Sequence, residues 1–342
     1  MPLPVAGTGI VPSTGSIYNE LQSVVRRAFV PNLFVQLYKS NPMLSYLLRN
    51  AQRAKGGLNQ VTVPIQGNSF VSFTYAGYDG GFPQPQVTPA VQNAQFNLSL
   101  GVIPIPFLGM EAIVQSSETI INLCKARLTD AKTVALQQMA GDLYTNNTAT
   151  PLKPDSLVDA YDDGTNVATY GGVSRTATPA WAGQLKPSAG SATNTRVGMA
   201  KLLTQFSTQG SAGGETQDLI IMSPSDWATL LGDYMGAEQF HTTPGSKYGR
   251  DDVINAGFRG LSIADTMIFA DIFCPKGTAY FINTRYLALY LSEDAPFAFS
   301  GFYSAIPNMQ IANVGVLIVV FNVICAKPGS GAQVTGITGG AF

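Results

Sequence analysis

The side chains that could do chemistry are few, and their spacing argues against it. His241 is the sole histidine of the 342 residues. A metal site built on two imidazoles is therefore excluded, and a Ser-His-Asp triad would hang on one residue. Its setting, Phe240-His241-Thr242-Thr243-Pro244-Gly245, reads as a loop carrying an ordinary surface histidine. Asp162-Asp163 and Asp251-Asp252 are paired carboxylates. Neither pair continues with the oxygen-ligand spacing of a calcium loop, so turn and cap roles suit them better. Cys124, Cys274 and Cys325 are odd in number and far apart. They form no disulfide framework and no metal-ligand spacing, and each reads as a small buried hydrophobe. No G-x-x-x-x-G-K-[ST] phosphate loop and no G-x-S-x-G elbow is present, and Gly7-Thr8-Gly9 follows no predicted strand. Asn97-Leu98-Ser99 and Asn146-Asn147-Thr148 match glycosylation acceptors, which carry no meaning in a cytoplasmic chain. The reading is of no catalytic residue, no metal and no cofactor.

Composition points instead to contacts between surfaces. Charged residues are 12% of the chain, about half the roughly 25% typical of soluble domains. The net charge is −1. Interfaces lose charge at their centres, so this depletion favours a chain that hides much of its surface; a secreted β-rich protein could show the same bias. The start, MPLPVAGTGIVP, lacks a basic segment followed by an apolar run, and production in a reducing cytoplasm is expected. The most apolar stretch, residues 314–326, is β-branched and too short to span a bilayer.

Stepping along the chain, residues 1–55 read as an arm. Ile17, Leu21, Val24, Val25 and Ala28 recur at helical spacing after Ser16, and a second helix is expected to start at Asn41-Pro42. The arm holds six basic residues against Glu20, a net +5, which leaves −6 on the rest. Such an arm suits an acidic neighbour, either nucleic acid or another part of an assembly; a solvated helix face is the alternative. Residues 56–102 change to a period of two, with Val61, Val63 and Ile65 on one side of a Gly- and Pro-rich tip. On the other side come Ala94, Phe96, Leu98, Leu100 and Val102. This predicts a long hairpin with one apolar face. An isolated hairpin is marginal in water, and Asp79 is the only charge between residues 56 and 100. A projecting hairpin that docks on another subunit accounts for both facts. Phe70, Phe73, Tyr75, Phe96 and Leu98 are then the expected docking residues, with packing inside their own subunit as the alternative.

Residues 109–146 read as one helix of about 55 Å, with Cys124, Leu128, Ala131, Ala135, Met139 and Leu143 on its apolar side. A polar, turn-rich segment follows. Then comes a helix bearing Met199, Leu202, Leu203 and Phe206, and the strand Leu219-Ile220-Ile221-Met222. Ser223-Pro224-Ser225-Asp226 opens a capped helix that presents Trp227, Leu230, Leu231 and Tyr234. Further strands follow, with a type I turn expected at Cys274-Pro275-Lys276-Gly277. In residues 286–291, Leu287, Leu289 and Leu291 face one way and Tyr286, Ala288 and Tyr290 the other. Helix, strand and helix followed by strands make a mixed α+β domain. The Gly-rich end, residues 327–342, reads as a flexible tail.

In order, these parts resemble the tailed-bacteriophage major capsid proteins of the Hong Kong 97-type fold. Three local segments carry the likeness. Gly171-Gly172-Val173-Ser174-Arg175 followed by Trp181 is similar to the family's glycine-x-x-arginine and tryptophan segment. DLIIMSPSDW, residues 218–227, is similar to its strand and capped helix, and residues 256–297 to its late axial strands. The resemblance implies an N-terminal arm (1–55), an extended loop (56–102), a peripheral domain (103–180 and about 296–326) with spine helix 109–146, and an axial domain (181–295). It implies a shell of pentamers and hexamers around double-stranded DNA, with Arg26 and Arg27 as inner-face contacts. Expected partners are copies of the same chain, a portal, a separate scaffolding protein and in some cases a decoration protein, with no membrane. The expected place is the virion capsid, after synthesis in the host bacterial cytoplasm. Some family members join subunits through a lysine of the extended loop. Residues 56–100 contain no lysine here, so no such link is expected. An encapsulin-type cellular shell is the alternative within the fold, and a β-rich soluble enzyme or binding protein the alternative outside it.

Overall fold

The computed structural model describes residues 41–55, 60–66, 91–108, 117–147, 150, 152–187, 194–209, 215–235, 261–304 and 312–337. The helix expected around Ile17 and the expected hairpin tip lie outside them. The second arm helix is α1, Pro42–Arg49, and it buries Met43, Leu44 and Leu47. Proline stands in its first turn, where the missing amide hydrogen costs nothing. Asn41, the expected cap, makes no side-chain cap bond. The Met43 amide faces the buried Asp271 carboxylate instead, so the negative end at this helix start comes from a distant part of the chain.

Two compact units emerge. The larger lies within Leu37–Leu100, Gln137–Asp294 and Val320–Phe342, and the smaller takes in Gly101–Leu136 and Ala295–Val319. In the larger unit, β7 (Gln184–Pro187), β8 (Leu219–Met222), β9 (Leu261–Ile263), β10 (Thr266–Ala270), β11 (Thr278–Ile282) and β14 (Ala332–Thr335) form one sheet, in the order β7-β14-β11-β8-β10-β9. The β8–β10 and β14–β7 pairs are parallel, and the other pairs antiparallel. Every residue of β8 and β11 is buried, which fits their mostly apolar sequences, LIIM and TAYFI. Ile220, Met222, Ile268, Phe281 and Val334 form a core with Met199, Leu202 and Phe206 of α4 (Arg196–Gln209) and Leu230 of α5 (Pro224–Met235). The Ser223 hydroxyl accepts the Asp226 amide, as the capping sequence predicts.

β14 overturns the described part of the expected flexible tail, residues 327–337. Ala332 and Val334 are fully buried, with β11 on one side and β7 on the other. Glycine on either side of this short strand masks its period of two in the sequence. The turn at Pro275 is also displaced by one residue. Thr278 donates to the Pro275 carbonyl, and Gly277 at φ +77° holds the third position, as a type II turn requires.

The hairpin strands are β2, Gln60–Gln66, and β3, Val91–Asn97, antiparallel from Gln60↔Asn97 to Gln66↔Val91. The expected alternation holds in β3, where Ala94 and Phe96 are buried and Gln95 and Asn97 exposed. It breaks at Leu98, which belongs to neither strand, before β4, Ser99–Leu108. The parity flips there: Leu100 is 61% and Val102 51% exposed, while Ile105 is buried. α2 is described over Ser117–Asp142, about 39 Å, and ends four residues before the expected 146, while residues 109–116 of the expected helix lie outside the described residues. Cys124, Leu128, Ala131, Ala135 and Met139 along it are all buried, and so is Leu143 just beyond. In the smaller unit, Ser300 of β12 (Leu287–Ser304) accepts the Val316 amide of β13 (Ala312–Cys325), and Arg127 donates to the Pro106 carbonyl of β4. In the larger unit, β1 (Gln52–Ala54) pairs parallel with residues 290–292 of β12.

Candidate assembly elements at the hairpin foot

The segment 147–183, rich in turns and polar side chains, folds around one buried cation. Ser156 caps the five-residue helix α3, Leu157–Tyr161, and forms a reciprocal capping box with Asp159. Asp162 then accepts the amides of Gly164, Asn166 and Val167. The Arg175 guanidinium is fully buried 3.8 Å from Asp162. It donates to the carbonyls of Val167, Asp159 and Ala160. Burial pulls its pKa down, while Tyr170, Asp162 and Asp159 hold it up. Burial likewise pushes Asp159 up, opposed by its bonds from Ser156 and Asn147 and by Arg175. A charge so enclosed is tolerable because both terminal amino groups of the guanidinium are paired.

Arg175 follows β6 (Val173–Ser174), which pairs with β5 (Thr169–Tyr170) across Gly171-Gly172. Both glycines have positive φ, +59° and +76°, as a two-residue type I′ turn demands. Gly171 has a second reason to be glycine: a Cβ there would sit 2.7 Å from the Phe96 ring. Trp181 donates through Nε1 to the Tyr170 carbonyl, and Arg175 lies 5.2 Å from the centre of the Tyr170 ring. The four residues of the glycine, arginine and tryptophan segment thus build one small scaffold.

That scaffold carries the hairpin. The Gln95 amide donates to the Gly171 carbonyl at 2.8 Å, extending the ribbon along β3. The Phe96 ring meets Tyr170 edge-on at 4.9 Å and is 1% exposed. The Asn97 carbonyl accepts from Asn322 of β13 at 2.8 Å. Asn322 also donates to the Asp155 carboxylate at 2.7 Å and accepts the Asp155 and Val323 amides. Burial pushes Asp155 up to about 6, against the lowering effect of the Asn322 bond.

Phe96 is therefore corrected to the alternative, packing inside its own subunit, where it anchors the hairpin on Tyr170. The residue lies beside the root of the hairpin, where a ribbon from the same chain covers it. Leu98 is half-buried. Phe70, Phe73, Tyr75, Arg26 and Arg27 lie outside the described residues. Sequence reasoning missed Tyr170, Asp155 and Asn322. A signal for Asn322 was present, since it is the lone polar residue of VLIVVFNVI, residues 316–324. A buried amide in such a run must find partners. The three cysteines are buried, and burial pushes the Cys325 thiol up to about 11, so they serve as packing groups.

No protein-family model matches the sequence, and no curated protein matches it either. Solved structures do match. The capsid asymmetric unit of cyanophage A-1(L) superposes with a TM-score of 0.64 at 14% identity, over 88% of this chain and 93% of that one. The chain has the tailed-phage capsid-protein fold. The holo-SrpI encapsulin complex from Synechococcus elongatus PCC 7942 matches with a TM-score of 0.56 at 11% identity, over 94% of this chain and 96% of that one. The capsid of a native GTA particle matches at 0.51 and 8% identity, over 86% and 91%. At such identities the capsid fold is shared as an arrangement of elements, and the side chains that secure it belong to each chain separately.

Proposed function

We propose that the chain is a major capsid protein. Its copies assemble as pentamers and hexamers into an icosahedral shell around double-stranded phage DNA. The observation that carries this reading is the end-to-end likeness to a capsid subunit, over 88% of this chain and 93% of the cyanophage one. The surface supports it: charge is sparse, and Leu100, Val102 and Val91 expose more than half their area in a single subunit. The reading divides the chain into arm (1–55), extended loop (56–102), peripheral domain (103–180 and about 296–326) and axial domain (181–295). Phe70, Phe73, Tyr75 and Leu98 remain the proposed docking residues, and Arg26 and Arg27 the inner-face cations. Portal, scaffolding and decoration proteins are the proposed partners and the virion capsid the proposed place. The shell closes without a lysine-based link from the loop and without catalysis.

The encapsulin match, over 94% of this chain, favours a second reading as a cellular compartment shell. Sedimentation of the purified chain, with a scaffold supplied, tests both. Rings or closed shells are expected, and a strict 36-kDa monomer at high concentration would overturn both. Packaged DNA in particles from infected cells selects the virion, and one enclosed enzyme selects the compartment.

A further inference from the structure

The hairpin β2–β3 has few ways of knowing where to point. Two strands are marginal by themselves, so their direction comes from what grips their root. Three grips fall on successive residues of β3: the Gln95 amide on Gly171, the Phe96 ring under Tyr170, and the Asn97 carbonyl on Asn322. The first two hold the flank of the strand. The third holds the residue at which the strand ends.

We propose that Asn322 is a positioning residue for assembly, fixing through the Asn97 carbonyl the direction in which the hairpin leaves its subunit. This rests on the shell reading. Both sides of the Asn322 amide are committed. Its oxygen receives the Asp155 amide at 2.8 Å and the Val323 amide at 2.7 Å, so the group does not flip. Its nitrogen is thereby held toward the Asn97 carbonyl at 2.8 Å and the Asp155 carboxylate at 2.7 Å. The position lies in a run of apolar residues, where an aliphatic side chain would fill the core without needing four partners. Leverage makes the contact matter. From Asn97 to Val91 the strand covers about 20 Å, so a tilt of about 10° at the root moves its far end by about 3.5 Å. A shift of that size is larger than a packed interface absorbs.

The test separates positioning from packing. In the double variant Asp155→Asn with Asn322→Asp, the two side chains exchange groups. The pair can still bond to each other, and the oxygen that receives the Asp155 and Val323 amides is kept. With the new carboxylate ionised, what disappears is the donor to Asn97, which now faces an oxygen. The wild type, which keeps that donor and also holds one carboxylate in the pair, is the stability reference. The expected result is a melting temperature within a few degrees of the reference, amide exchange at residues 95–97 at least tenfold faster, and at least a tenfold loss of closed shells in electron micrographs. Closed shells at the wild-type yield, or unchanged exchange at residues 95–97, would overturn the proposal while leaving the shell reading intact. If the double variant yields no soluble subunit, Asn322→Ser replaces it, too short to reach Asn97, and is judged by the same outcomes. A wild-type chain that forms no shell under any condition overturns the shell reading and this proposal together.

Discussion

The larger unit is held together in two contrasting ways. In the six-stranded sheet, β8 and β11 bury every side chain against neighbours that are mostly apolar. Burial of that kind is non-directional, worth roughly 25 cal/mol per Å², and depends on volume more than on orientation. In the segment 147–183 the buried groups include Ser156, Asp159, Asp162 and Arg175. There each bond replaces one to water, so removing one partner leaves the other stranded at full desolvation cost. The sheet can be repacked, whereas the polar segment fails at a single atom. The hairpin root draws on both, through the Phe96 ring and the Asn322 amide.

Four substitutions break or sharpen this contrast. Phe96→Asp is expected to have the largest effect, upwards of about 5 kcal/mol, because it removes a buried ring and encloses an unpaired charge. Soluble, folded subunit measured by circular dichroism should be lost; a folded subunit that merely fails to assemble would return Phe96 to the interface. Arg175→Ala should cost about 3–5 kcal/mol in urea unfolding, since it leaves three carbonyls without their donor and Asp162 without its nearby cation. A cost under about 1 kcal/mol would mean the guanidinium does not organise the segment.

Asp155→Asn should act in the opposite direction. The folded chain binds the Asp155 proton more tightly than the unfolded one, with a pKa of about 6 against 3.8. This group therefore favours folding fully below about pH 3.8, and that contribution is lost as pH rises through 6. At pH 7.5 the amide should stabilise the subunit by on the order of 2 kcal/mol, with the gain vanishing toward pH 4. Parallel melting curves for both chains across that range would show that burial of the carboxylate costs nothing. The smallest effect is expected in the sheet. Ile221→Val, at a fully buried site, should cost about 1 kcal/mol. A cost above about 3 kcal/mol would mean the sheet is as unforgiving as the polar segment.

Much of this was legible in the chain. The helical spacing of Trp227, Leu230 and Leu231 after Ser223 gave α5 and its cap, because both depend on residues within one or two turns. The glycine pair before Arg175 marked a segment of consequence, although its task of carrying Phe96 was not visible. The break at Leu98 was invisible too, since the apolar residues keep their period of two through it while the faces they serve exchange. Asp271 at the start of α1 escaped for the same reason, lying more than 200 residues along the chain from the helix it meets.

By itself, the sequence determined the kinds of element and the likeness to shell proteins. Those follow from local periodicity, residue type and order along the chain. Tertiary structure alone decided that the supposed tail is an inner strand, that Phe96 looks inward and that Asn322 grips the hairpin. Each of these depends on a partner many residues away. Such a partner is selected by the free energy of burying and pairing groups together, and neighbours in sequence carry no record of that choice.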